Sequence, residues 1–230
     1  MPAPSSPAAG SPLFVVVVAV FLTALITANI VAVKLISVAG LVLPAAVVIF
    51  PVSYIVGDVL TEVYGYRQAR RVIWLGFLCN ALAVAAIVVA EALPPAPFWD
   101  GQAAFERILG LTPRILAASA LAYLAGEFAN AAVLARMKVA TRGRFLWART
   151  IGSTVVGQGL DSTVFIVAAF AGTVATEALA AMVVTQWAVK TAYEAAATPV
   201  TYAVVGFLKR REGIDVYDAE TPLNPLSLKL

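Results

Sequence analysis

Histidine is absent from this 230-residue chain, and cysteine occurs once, as Cys79 inside an apolar run. Without histidine there is no imidazole zinc site, no Ser-His dyad and no His proton relay, which argues against an intramembrane hydrolase or metalloenzyme. A lone cysteine excludes a disulfide framework and a cysteine metal site. Charge is scarce too: Asp, Glu, Lys and Arg make up 13% of residues against 61% hydrophobic, and mean hydropathy is +0.90. No Walker motif or other ATP-binding segment is present. The chain is expected to be no enzyme and to need no cofactor and no metal.

What is there instead is apolar sequence in lengths that cross a bilayer, about 20 residues for a helix. Six runs qualify, roughly 13–37, 41–61, 71–93, 112–137, 150–172 and 178–208, the last long enough to be tilted. The expected fold is an all-α integral membrane protein in which six transmembrane helices occupy 13–208. A Pro-, Ala- and Ser-rich disordered tail at 1–12 precedes them, and a short polar tail at 209–230 follows, with no room for a second domain. The first dozen residues lack the positive n-region of a signal peptide, so the first run should stay as a helix.

Eleven of the sixteen basic residues fall in three segments: Arg67, Arg70 and Arg71; Arg136, Lys138, Arg142, Arg144 and Arg149; Lys209, Arg210 and Arg211. The positive-inside rule makes these segments and both termini cytoplasmic. The net charge of +3 therefore reports topology and gives no support for a nucleic-acid partner. On the opposite side, the 94–110 loop sets Phe98, Trp99 and Phe105 among prolines, as a short helix anchored at the headgroups or a lid over an entrance. Six spans with both ends inside divide into a three-plus-three inverted repeat, a common transporter plan. The repeat is supported only by Ile55-Val56-Gly57 with Leu60 against Val155-Val156-Gly157 with Leu160.

Glu127, Asp161, Lys190 and Glu194 each sit near the middle of an apolar run. Four charges at mid-membrane would cost on the order of 12 kcal/mol before pairing relieves any of it. They neutralise one another in the bundle, or they form a polar site that holds something while it crosses. On helix faces, Gln186, Lys190, Tyr193, Glu194, Ala197 and Thr201 share one side of the sixth run, and Gln158, Asp161 and Phe165, with Ser162 beside them, share one side of the fifth. Glu127 and Asn130 lie one turn apart in the fourth, and Asn29 sits in the first with Lys34 nearer the outside. Lys190 can pair with Glu194 along its own helix, which leaves Asp161 and Glu127 short of cations. A carboxylate with Asn and Gln nearby and rings such as Tyr193, Phe165 and Tyr54 suits a flat heterocycle with N–H donors, though these rings can equally pack the bundle.

The second run ends in FPVSYIVGDVLTEVYGYRQARR, from Phe50 to Arg71. Pro51 is expected to kink the helix and free a carbonyl. Asp58 and Glu62, one turn apart, with Tyr64-Gly65-Tyr66 leading into Arg67, Arg70 and Arg71, read as a cytoplasmic latch or gate in which the carboxylates bind the arginines. Direct substrate contact is the other reading of the same acids.

GDVLTEVYGYxxAR in this stretch, Asp161-Ser162 followed by Phe165 in the fifth run, and KxxYExxxTP from Lys190 to Pro199 in the sixth resemble the VUT family of queuosine precursor transporters. The tail IDVYDAETPLNPLSL after Gly213 also resembles that family, except for a Leu where Phe is expected beside Asn224-Pro225. The resemblance covers nearly the whole chain. It implies a multi-pass protein of the cell inner membrane that imports 7-deazaguanine precursors of a modified tRNA base, such as 7-cyano-7-deazaguanine. Ring N–H and exocyclic amine stand side by side on such a base, and a carboxylate can accept both. Asp161 and Glu194 are then the expected base-reading acids, with Lys190 holding one of them or binding the ring carbonyl, and Gln158, Asn29 and Asn130 at the remaining polar edges. Uniport and proton coupling both stay open, as does a homodimer.

An alternative is the substrate-binding subunit of an energy-coupling importer, which needs partner ATPases. Its support is the small-residue stripe Ala24, Ala28 and Ala32, which could dock a partner helix.

Overall fold

Ser11 starts the first helix: its hydroxyl oxygen accepts the Phe14 amide at 3.2 Å, and Pro12 takes the first turn, where no N–H is needed. The computed structural model describes residues 11–32, 34–38, 41–110, 113–172 and 175–226. Within them lie α1 Pro12–Val31, α2 Phe50–Tyr64, α3 Tyr66–Ala92, α4 Gln102–Leu109, α5 Pro113–Ala140, α6 Leu146–Phe170 and α7 Thr176–Glu212. An antiparallel hairpin, β1 Leu35–Val38 with β2 Leu41–Pro44, and a 3-10 turn at Ala45–Val48 separate α1 from α2. The expected disordered tail falls outside the described residues up to position 10, and its last two residues cap and begin α1.

The fold is helical, as expected, with one short hairpin between α1 and α2. The run 41–61 is divided: its first residues pair with 35–38, Leu35 opposite Pro44 and Val38 opposite Leu41. β-branched residues, which favour strands, occur in both paired segments, so the run does not form one unbroken helix. Pro51 consequently sits in the first turn of α2 and does not kink it. Among the described residues, four helical segments are long and apolar enough to cross a bilayer, Pro12–Val31, Tyr66–Ala92, Ala117–Ala140 and Leu146–Phe170. At 15 residues α2 reaches only about 22 Å, and at 37 residues α7 exceeds about 50 Å but is interrupted by charge.

Short α2 is the hub of the bundle, touching α1, α3, α5 and α7. Its residues Val59, Leu60, Val63 and Tyr64 are buried together with Tyr66 and Phe21. The small stripe of α1 is used inside the chain: Ala24 and Ala28 are fully buried in this bundle. Close approach of α5 and α6 rests on two glycines, since a Cβ on Gly126 would stand 2.7 Å from that of Asp161, and one on Gly157 would stand 2.7 Å from that of Asn130.

Both described chain ends meet at one end of the bundle, where the Ser11 hydroxyl donates to Glu212. The segment after α7 crosses that end as a strap. The Val216 amide donates to the Val63 carbonyl at 3.2 Å, and the Tyr66 amide donates to Asp218 Oδ2 at 2.8 Å. The Tyr66 hydroxyl reaches the Leu223 carbonyl at 2.9 Å, Arg70 Nη1 those of Pro222 and Asn224 at 3.2 and 3.0 Å, and Trp74 Nε1 that of Pro225 at 3.0 Å. Burial would raise the Asp215 carboxyl, but hydrogen bonds from Lys138 and Lys209 hold it below the usual carboxylate range. Its contribution to strap docking is therefore complete at neutral pH and lost as pH falls through that lowered value.

Gly65, between α2 and α3, has φ 84° and ψ 163°, a region open essentially to glycine alone. A Cβ there would lie 2.6 Å from Val216 Cγ1. Gly65→Ala is expected to destabilise by about 1–3 kcal/mol from the backbone and to loosen the strap. Thermal denaturation in detergent and protease cleavage between residues 213 and 226 measure the two effects; unchanged values for both would refute the docked strap.

Candidate functional site

Six helices enclose a cavity of about 220 Å³ in the half of the bundle away from the strap. Asn29 enters from α1, Tyr54 from α2, Asn80 from α3, Glu127 from α5, Gln158, Asp161 and Phe165 from α6, and Gln186 and Lys190 from α7. These residues belong to the last turns of α1 and the first turn of α2, and to the first halves of α5 and α7, so the hollow lies toward the end that carries the hairpin and α4. A larger hollow of about 400 Å³ beneath Pro94–Gln102 is lined by Phe98, Trp99 and Phe105 but contains no ionisable group, so it offers nothing to orient a polar ligand.

Lys190 Nζ makes a close ion pair with Asp161 Oδ2. This corrects the expected pairing of Lys190 with Glu194: the two share a helix face, but the crossing of α6 over α7 brings a better-placed acid. Glu127 shares the wall with this pair, its carboxylate packed against Gly57, where an added Cβ would lie 3.3 Å from Oε2. The Asn29 amide donates to Asn80 Oδ1 at 2.8 Å, which fixes one amide edge of the wall. Of the expected base contacts, Asn29, Glu127, Gln158, Asp161, Phe165 and Lys190 come together here. Tyr193 is exposed and lies outside the wall, as does Glu194, which is completely buried behind it. Asn130 also stands apart, its amide donating to Asp58 Oδ1 at 2.9 Å.

Toward the strap the cavity is closed by a charged layer. Glu62, fully buried, accepts Arg149 Nη2 at 2.8 Å and Lys209 Nζ at 2.7 Å on Oε1, and Arg149 Nε at 3.3 Å on Oε2. Lys138 lies 3.8 Å from Glu62 Oε1 and donates to Asp215 at 2.5 Å, and Lys209 is 2.9 Å from the same aspartate. The Tyr64 hydroxyl donates to Glu212 at 2.6 Å, tying α2 to the end of α7. The expected latch between Asp58 or Glu62 and the neighbouring arginines is therefore corrected. Glu62 takes its cations from α5, α6 and α7, Asp58 bonds Asn130, Arg70 holds the strap, and Arg67 is exposed.

Sequence reasoning missed Asn80 in the cavity and the roles of Lys138, Arg149, Lys209 and Asp215 in the seal. The basic ones were legible only as topology signals at helix ends. No spacing relates them to Glu62, from which they are separated by 76, 87 and 147 positions.

Residues 44–204 match the family described as "putative vitamin uptake transporter". A "probable queuosine precursor transporter" of Bacillus subtilis (strain 168) is 30% identical over 183 residues, covering 78% of this chain and 79% of the relative. No solved structure matches the chain. With its multi-pass apolar helices and more than half its length within the match, this chain belongs to the vitamin uptake transporter family.

Proposed function

We propose that the chain imports queuosine precursors, 7-cyano-7-deazaguanine and related 7-deazaguanines, across the cell inner membrane. The observation that carries this reading is the cavity wall: two carboxylates, Glu127 and Asp161, with Lys190, amides from four helices and the rings of Tyr54 and Phe165. Drug-sized ligands take pockets of about 300–1,000 Å³, so 220 Å³ suits a single bicyclic heterocycle. Glu127 would accept the ring N–H and exocyclic amine together, as a charge-assisted pair of bonds. Asp161 is held by Lys190, which leaves the ammonium beside the position of a ring carbonyl. Phe165 and Tyr54 supply stacking faces.

The end that gathers Ser11, Glu212, Arg70 and Arg149 is the cytoplasmic one on the positive-inside rule. The cavity then belongs to the outside, and the Glu62 layer with its strap closes the cytoplasmic exit. Tags after Ser5, near Arg142 and after Leu230 are expected in the cytoplasm and one near Asp100 outside, read by membrane-impermeant labelling. An external Arg142 tag would overturn this orientation and the six crossings with it.

Uptake of labelled 7-cyano-7-deazaguanine into proteoliposomes that contain this chain alone tests substrate and autonomy together. Saturable uptake, competed by unlabelled base, is expected. Uptake only after ATPase subunits are added would make the chain the capture subunit of an energy-coupling importer, a reading weakened here because Ala24 and Ala28 face this chain's own helices. No uptake in either arrangement would end the proposal.

A further inference from the structure

Asp58 and Glu194 lie on two helices that pack together, α2 and α7, each one turn from a residue of the seal or of the cavity. Asp58 is one turn before Glu62, the anchor of the seal, and Glu194 is one turn after Lys190, the cation of the cavity. Both acids are fully buried, with 1% and 0% of their surface exposed. They lie on α2 and α7, which pack together, and within electrostatic reach of each other. Among the described residues, one of their four carboxylate oxygens, Asp58 Oδ1, has a donor, the Asn130 amide. Asp58 Oδ2 and both oxygens of Glu194 have no hydrogen-bond partner among the described residues, and neither has Asn130 Oδ1. One helix over, Gln158 Oε1 and the Ser162 hydroxyl are buried without a partner as well, Gln158 with only 7% of its surface exposed.

Among the described residues, the cations of the cavity and of the seal are engaged elsewhere. Lys190 is on Asp161, Arg149 and Lys209 are on Glu62, and Lys138 is on Asp215. The other titratable groups that face the site, Tyr54 and Glu62 on α2, Glu127 on α5 and Asp161 on α6, bring no positive charge. Two anions at this depth would be opposed by desolvation and by mutual repulsion. What is missing is positive charge, and the surplus of oxygen acceptors is the donor set of a hard monovalent cation or of shared protons.

We infer that Asp58, Glu194 and Asn130 form the site of a coupling cation, a proton or a sodium ion, whose occupancy lets α2 and α7 move against each other during transport. This rests on the transporter reading above. Filling the site removes the repulsion across the α2–α7 interface, and emptying it toward the cytoplasm restores that repulsion beside the Glu62 seal. Inward movement of the cation down its gradient would then favour loading at the outer cavity and opening at the strap.

The test uses the full-length chain in proteoliposomes, loaded with imposed inward gradients of protons or of sodium, or with neither, at clamped membrane potential. One gradient is expected to drive accumulation of labelled 7-cyano-7-deazaguanine, roughly tenfold for a tenfold gradient and one cation per substrate. The proton arm and the sodium arm identify the ion. Downhill equilibration with no accumulation in either arm would overturn the coupling site while leaving the transport function standing. A substrate-free measurement covers the case in which this base is not the substrate: thermal stability in detergent from acid to alkaline pH, in sodium and in choline chloride. Wild-type stability is expected to fall with rising pH in choline if protons fill the site, or to rise on adding sodium if sodium does. Asp58→Asn and Glu194→Gln should flatten that dependence. A wild-type profile that is already flat, or one unchanged in both variants, would overturn the proposal.

Discussion

Glu62→Gln is expected to destabilise the folded protein by about 3–5 kcal/mol, the range for removing one partner of a buried ion pair. Glu62 has no exposed surface and is the acceptor on which Arg149 and Lys209 converge. Glutamine keeps the volume but leaves the Arg149 guanidinium, also fully buried, facing an amide NH2. Arg149→Met should be milder, because Lys209 at 2.7 Å remains on Glu62. Lys209 is partly exposed and can turn to water, so Lys209→Met should be milder still. Chemical denaturation in detergent orders the three variants. A Glu62→Gln loss of only about 1 kcal/mol or less, the value of an exposed pair, would mean that water reaches this layer. Because the same layer closes one end of the cavity, the variant should also leak: counterflow of a deazaguanine through it should lose its dependence on the side of addition.

The second large effect is on recognition. Asp161→Asn and Glu127→Gln each turn a charged acceptor on the cavity wall into an amide. Loss of one charge-assisted hydrogen bond corresponds to about 1.5–3 kcal/mol, or roughly 10- to 150-fold in affinity for a deazaguanine. The variants should differ in stability. Asp161→Asn strands Lys190 as a buried cation without its carboxylate and should lower the melting temperature. Glu127→Gln removes an anion that has no paired cation among the described residues, so stability should hold or rise. Calorimetric binding to each purified variant, beside its melting curve, separates the effects. Wild-type affinity in both would remove these acids from the site, and an unchanged Asp161→Asn melting temperature would remove the ion pair.

Glu194 shows why local spacing misleads in such a helix. Lys190 and Glu194 are four residues apart on α7, a spacing that permits a pair, and sequence alone cannot weigh that against an acid from another helix. Gly126 and Gly157 bring α5 and α6 close together and seat Asp161 in the wall, where it takes Lys190. The acid left over is Glu194, buried behind the wall with neither carboxylate oxygen hydrogen-bonded among the described residues.

The sequence by itself determined the class of the protein, the end at which basic residues gather and most of the cavity's polar lining. These depend on composition, on apolar length and on the 3.6-residue period, all local properties that survive without knowledge of neighbours. It could not place the break in the run 41–61, because the same apolar residues satisfy a hairpin and a helix. Nor could it pair charges across helices or dock the strap, in which Tyr66 and Arg70 reach residues more than 150 positions away. Those outcomes depend on which helices cross, at what distance and in what order, and only the packing of α2 against its four neighbours, with that of α6 against α5 and α7, decides that.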